Sequence, residues 1–164
     1  MTAQTFAGRA EFLRAVQETL GWAAEQGCRE LHAWDASFVD WPLSEAQVLA
    51  SLAAWARAGR QLHLLALQYE DIVRRHPQFV RWRRDYAHCV TARAVEPELR
   101  LEAAPESLLM AVGADGALTL RLFDRHLWRG EVSREPGDRV RSMEWFDVAA
   151  QRSSEAFPPT TLGL

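Results

Sequence analysis

Residues 61–93, QLHLLALQYEDIVRRHPQFVRWRRDYAHCVTAR, set two apolar runs on either side of a proline-started amphipathic segment, a pattern that few architectures accept. Residues 62–67 are apolar without helical spacing, bounded by Gly59 before and Tyr69, Glu70 and Asp71 after, which suits a buried strand. His76-Pro77 marks a break, because proline disfavours helical geometry in the residue before it and favours the first turn of a new helix. Phe79, Trp82 and Tyr86 then fall on one helical face, while Arg81, Arg84 and His88 point elsewhere and Arg83 lies on the border. The plain reading is a helix laid on a sheet by its aromatic stripe. The sharper one adds an arginine face, Arg74, Arg75, Arg81 and Arg84, aimed at phosphate or acidic partners.

The flanking sequence extends this pattern. Residues 9–26 have the periodicity of a first helix, with Leu13, Val16, Leu20 and Ala23 or Ala24 as its stripe and Gly27 as a left-handed stop. Residues 29–34 alternate like a strand with one wetter face. Ser44 with Gln47 has the spacing of a capping box, so a helix is expected from about Glu45, closed by Gly59, with Leu49, Leu52 and Ala56 on its stripe and Val48 and Trp55 alongside. Residues 88–93 supply a third strand. Residues 94–107 contain Pro97 and Pro105 and look like a connector. A hairpin follows over 108–112 and 118–123, turning at Ala114-Asp115-Gly116, with 127–132 as a further antiparallel strand. Pro136 opens a last helix, and the chain ends in FPPTTLGL, too apolar for a freely solvated end.

The expected fold is therefore α/β. Its mixed sheet has a parallel N-terminal βαβαβ part covered by helices, followed by an antiparallel hairpin or meander, a helix and an extended tail. We divide a single domain, 1–164, into an α/β part (8–93), a connector (94–107), a hairpin-plus-helix part (108–152) and the tail (153–164).

Composition removes several chemistries. The 19 basic side chains are all arginine, so there is no Schiff-base lysine, no phosphate-loop lysine and no lysine general base. Asparagine is also missing, which excludes a Cys-His-Asn triad. A net charge of -3 argues against nucleic-acid binding by the molecule as a whole, but not by a local basic patch. Cys28 and Cys89 stand far apart without CxxC spacing, as in a reducing, cytoplasmic compartment. The first residues lack a signal-peptide pattern and no apolar run has membrane-spanning length, so no membrane partner is expected. The histidines at 32, 63, 76, 88 and 126 show no HxxxH or HxH pairing, and we assign neither metal nor cofactor.

If the first three strands are parallel, their carboxyl ends share one rim, where open α/β sheets place ligands. Asp35 and Asp40 follow the first strand; Glu70 and Asp71 follow the second. Together they offer a carboxylate cluster for a divalent metal or for acid–base work, although Glu70 and Asp71 also suit a plain helix start. Trp41 and Trp128, in loop-like contexts, are candidate exposed anchors for a partner, as is Phe157 in the tail.

The segment HPQFVRWRRDYAH between its two apolar strands, with the closing FPPTTLGL, resembles an uncharacterised proteobacterial family, and its α/β half resembles one half of a phospholipase-D-like domain, over residues 11–93. Catalysis in that superfamily uses a histidine nucleophile and a lysine in an HxK arrangement, followed by an aspartate. A chain without lysine has no HxK motif, so the resemblance implies the fold without the activity. The leading expectation is a non-catalytic cytoplasmic binding domain, taking a protein partner, a second copy of itself, or a phosphate-bearing ligand such as nucleic acid. The alternative is a metal-assisted hydrolase built on the rim carboxylates.

Overall fold

A computed structural model describes residues 3–99 and 104–160. The elements are β1 (Ala3–Phe6), α1 (Arg9–Gln26), β2 (Glu30–Asp35), α2 (Ala46–Trp55), β3 (Gln61–Ala66), α3 (Glu70–Arg75), α4 (Pro77–Asp85), β4 (Val90–Val95), β5 (Ser107–Gly113), β6 (Gly116–Asp124), β7 (Arg129–Ser133), α5 (Pro136–Gln151) and β8 (Ser153–Glu155). The described residues form one eight-stranded sheet in the order β1-β7-β6-β5-β2-β3-β4-β8. As the pattern of 29–93 implies, β2, β3 and β4 are adjacent and parallel. The remaining pairings are antiparallel, with β5 docking on β2 and starting the meander β5-β6-β7.

Side-chain alternation along β2 separates two cores. Leu31, Ala33 and Asp35 face α1 to α4 and are buried, whereas Glu30, His32 and Trp34 face α5 and are only partly covered. The larger core joins Phe12, Val16 and Leu20 of α1 and Val48, Leu52 and Trp55 of α2 to Leu62, Leu64, Leu109 and Leu120 of the sheet. The smaller one sets Phe146 and Ala149 of α5 against Leu65, Leu108 and Met110. β5 is buried on both faces, which explains its unbroken apolar run. Helix α5 is anchored at its start: the Ser133 hydroxyl donates to Asp138 at 2.6 Å, and with Arg141 and Arg121 beside it this holds the Asp138 carboxyl below its ordinary pKa.

Helix α1 has the expected bounds, and Gly27 ends it in the left-handed conformation at φ 65°. Its buried residues are Phe12, Ala15, Val16, Thr19, Leu20 and Ala23, so the stripe is rotated slightly from the expected one. The capping box at Ser44 does not form. Helix α2 has no side-chain cap; the Ser44 hydroxyl lies 2.6 Å from His76 Nδ1 instead, while His76 Nε2 donates to the Val39 carbonyl at 3.1 Å. A tertiary partner has outcompeted the local one. Two edge strands have no counterpart in the periodicity, being too short to show one. β1 pairs with β7, where a Cβ at Gly130 would sit 2.1 Å from the Arg121 carbonyl oxygen and 2.5 Å from the Phe6 ring, so only glycine fits. β8 pairs with β4 and delivers the tail back onto the body.

Candidate functional site

The carboxyl end of β2 does meet other charged groups, but they close the site. Asp35 is 1% exposed. Its Oδ2 accepts the backbone N–H of Ser37 at 3.1 Å and of Phe38 at 2.7 Å. Its Oδ1 accepts Arg125 Nη2 at 2.5 Å and the Ser107 hydroxyl. Ser107 is its register partner on β5. The same guanidinium reaches Asp40 Oδ2 at 3.1 Å and the Glu106 carboxylate at 3.5 Å, and lies over the Trp128 ring at 5.4 Å. Burial works against the Arg125 charge, yet Asp35, Asp40 and Glu106 outweigh it and raise its pKa above the ordinary value. With its lone pairs taken by four donors, Asp35 serves to hold β2, β5 and the β6–β7 connection together.

Glu70 and Asp71 belong to a different structure. Both lie in the first turn of α3, where Gln68 donates to Asp71 Oδ2 at 2.8 Å and accepts the Asp71 N–H at 3.1 Å. Arg74 stands 3.9 Å from Asp71. Among the described residues, no group of three metal-ligating side chains includes Asp35, Asp40, Glu70 or Asp71. The expected convergence of these four carboxylates on one metal is therefore corrected: Arg125 takes the first pair, and the helix start takes the second.

The two helices after β3 separate their arginines sharply. Arg74, Arg75, Arg81 and Arg84 are exposed, and their carboxylate neighbours are no closer than 3.5 Å, the distance from Arg84 to Asp85. Among the described residues, no ion pair engages the side chains of Arg75 or Arg81. Arg83 turns inward and is 5% exposed, donating to the Phe157 carbonyl at 3.1 Å with its guanidinium 5.8 Å from the Phe157 ring. Burial, opposed by nearby Tyr69, lowers its pKa.

Two of the three expected partner anchors are core residues. Trp41 is 3% exposed and packs edge-on to Phe12 and Phe38. Phe157, 7% exposed, stacks on Tyr69 at 5.2 Å and on Phe79 at 6.4 Å. Trp41 is corrected from a surface anchor to a packing residue by the Phe12 and Phe38 rings, and Phe157 follows the tail onto an apolar seat on its own body, formed by the Tyr69 ring and the aromatic face of α4. Residues 161–164 lie outside the described residues. Trp128 is partly covered, tilted on Phe12 at 5.3 Å between the guanidinium groups of Arg9 and Arg125.

Arg125 and Ser107 were not singled out from the sequence. Strand parity could have pointed to them, since an antiparallel β5 begins, and β6 ends, at the rim where parallel β2 ends.

No protein-family model and no curated protein sequence matches the chain. Solved structures do. The archaeal chromatin protein TrmBL2, described as showing a novel mode of DNA binding, superposes with a TM-score of 0.60 at 11% identity over 95% of this chain. The present chain spans about half of it, 54%. NucT from Helicobacter pylori gives 0.60 at 10% identity, covering 94% of this chain and 98% of its own. Nuc from Salmonella typhimurium, a phospholipase D family member, gives 0.58 at 9% identity, covering 94% and 97%. At such identities the likeness speaks for architecture alone, and it extends over nearly the whole chain: the fold is phospholipase-D-like.

Proposed function

We propose that this chain is a non-catalytic binding domain that engages a phosphate-bearing partner, nucleic acid foremost, through Arg74, Arg75, Arg81 and Arg84 on α3 and α4. The carrying observation is the exposure of all four arginines on two successive helices, with Arg75 and Arg81 free of ion pairs among the described residues. Planar, permanently charged donors that are exposed and at most loosely paired suit phosphate oxygens. The DNA binding stated for TrmBL2 supports the same class of partner. The absence of lysine supports a non-catalytic role, because the phospholipase-D-type HxK pair has no second member here. Two buried, unpaired cysteines fit a reducing, cytoplasmic setting, and no helix of the described residues is long and apolar enough to cross a membrane.

The test is anisotropy with single- and double-stranded DNA, and with phosphoinositide headgroups, across a salt series. Each phosphate contact contributes about -0.9 to the slope of log K against log salt for duplex DNA. The Arg74→Gln/Arg75→Gln/Arg81→Gln/Arg84→Gln variant should flatten that slope and weaken binding at low salt. Binding that the four substitutions leave intact, or no binding at low salt, defeats the reading.

A further inference from the structure

A second cluster lies on the opposite face of the sheet from the main core. The parallel register of β2 and β3 makes His32 and His63 direct partners, and their rings stack at 4.6 Å and 15°. Glu30, two residues before His32 and therefore on the same face, places Oε2 2.8 Å from His63 Nε2. One donor atom from each of the three side chains lies within 4.8 Å of the others. His32 Nδ1 is buried with no hydrogen-bond partner. Behind His32 the wall is apolar: Phe146 of α5 meets the ring edge-on at 5.0 Å, and Met110 is its register partner on β5. On the other side the site opens to solvent, with the side chains of His63 and Glu30 33% and 45% exposed.

We propose that Glu30, His32 and His63 form a binding site for a divalent transition-metal ion of the zinc class, held by two imidazoles and one carboxylate with one position left for water or an exogenous ligand. Imidazole donors favour zinc, cobalt and nickel over magnesium and calcium, which take oxygen ligands. Metal–nitrogen bonds of about 2.0–2.1 Å place tetrahedral donors about 3.4 Å apart. The three donors, now within 4.8 Å of one another, would settle at that spacing once the 2.8 Å Glu30–His63 contact opens to admit the ion, and both of those side chains reach solvent. The site is independent of the arginine face, which lies on α3 and α4.

Tag-free protein titrated with Co2+ should develop visible absorption bands saturating at one ion per chain, and Zn2+ should bleach them. A large excess of Mg2+ should not. Glu30→Gln and His63→Gln, both at partly exposed positions, should each weaken Zn2+ binding by at least about tenfold. His88→Gln should leave it unchanged. In NMR spectra, Zn2+ should move the ring signals of His32 and His63 and leave those of His76, His88 and His126 in place. No stoichiometric uptake, or uptake that survives both Glu30→Gln and His63→Gln, overturns the proposal and leaves the pair as a packing stack with a Glu30–His63 ion pair.

Discussion

Asp35 and His32 occupy the same strand three positions apart, one on each face of the sheet, and the fold treats them in opposite ways. Asp35 is a charge buried in the larger core's wall, with each oxygen engaged twice. His32 is a neutral ring half inside the smaller core, with one nitrogen lacking any partner. Burial alone therefore does not identify a site. A buried charge that is fully satisfied is a strut; a buried polar atom left open is where a ligand gains the most by arriving.

The largest test of this contrast is Arg125→Ala. It leaves Asp35 buried beside Ser107 without its cation, and loss of one partner of a buried pair costs about 3–5 kcal/mol. Urea denaturation should show a loss of that size, largely restored by adding Asp35→Asn. A change below about 1 kcal/mol would mean that water already reaches the carboxylate.

Acid tests the other member. Because the His32 pKa is depressed in the folded state, the unfolded chain binds the extra proton between the two pKa values. Stability is thus complete above the ordinary histidine pKa of 6.5 and declines as pH falls toward 4, by about 2 kcal/mol after allowance for the ring's partial exposure. Glu30, His63, Phe146 and Met110 stand around His32. Denaturation midpoints in metal-free protein at successive pH values read this directly, and a flat profile from pH 7 to about 4.5 contradicts it.

His32→Phe sharpens the comparison further. Exchanging an unsatisfied polar ring for an apolar one of similar size should alter stability by less than about 1 kcal/mol and remove that acid-dependent decline. A loss of several kcal/mol would show that Nδ1 has a partner after all. The smallest expected effect belongs to the four exposed arginines. Their combined replacement by glutamine should shift stability by only about 0.5 kcal/mol, since no buried group depends on them. A larger drop would make them structural.

Much of the architecture was readable in advance, and the residues show why. Helix α1 carries its period and its stop within 9–27, so local chemistry suffices. The adjacency of β2, β3 and β4 follows from the short helical connections between them. Ser44 shows the limit: its spacing with Gln47 is that of a cap, but His76, brought in from beyond β3, offers the hydroxyl a better partner. Trp41 and Phe157 sit beside prolines in loop-like sequence, yet the neighbouring aromatic faces bury them. Arg83 and Arg84 are consecutive arginines in one helix, and only rotation about its axis sends the first inward and the second to solvent.

Composition and periodicity alone determined that lysine chemistry is impossible here, that the sheet is mixed, and that an arginine face lies after the second long strand. Those are properties of residue type and of neighbours along the chain. Tertiary structure alone decided which charges are free and which are spent. Arg125 with Asp35, and His32 with His63, meet only because strand register sets distant residues side by side, and no local pattern encodes that meeting.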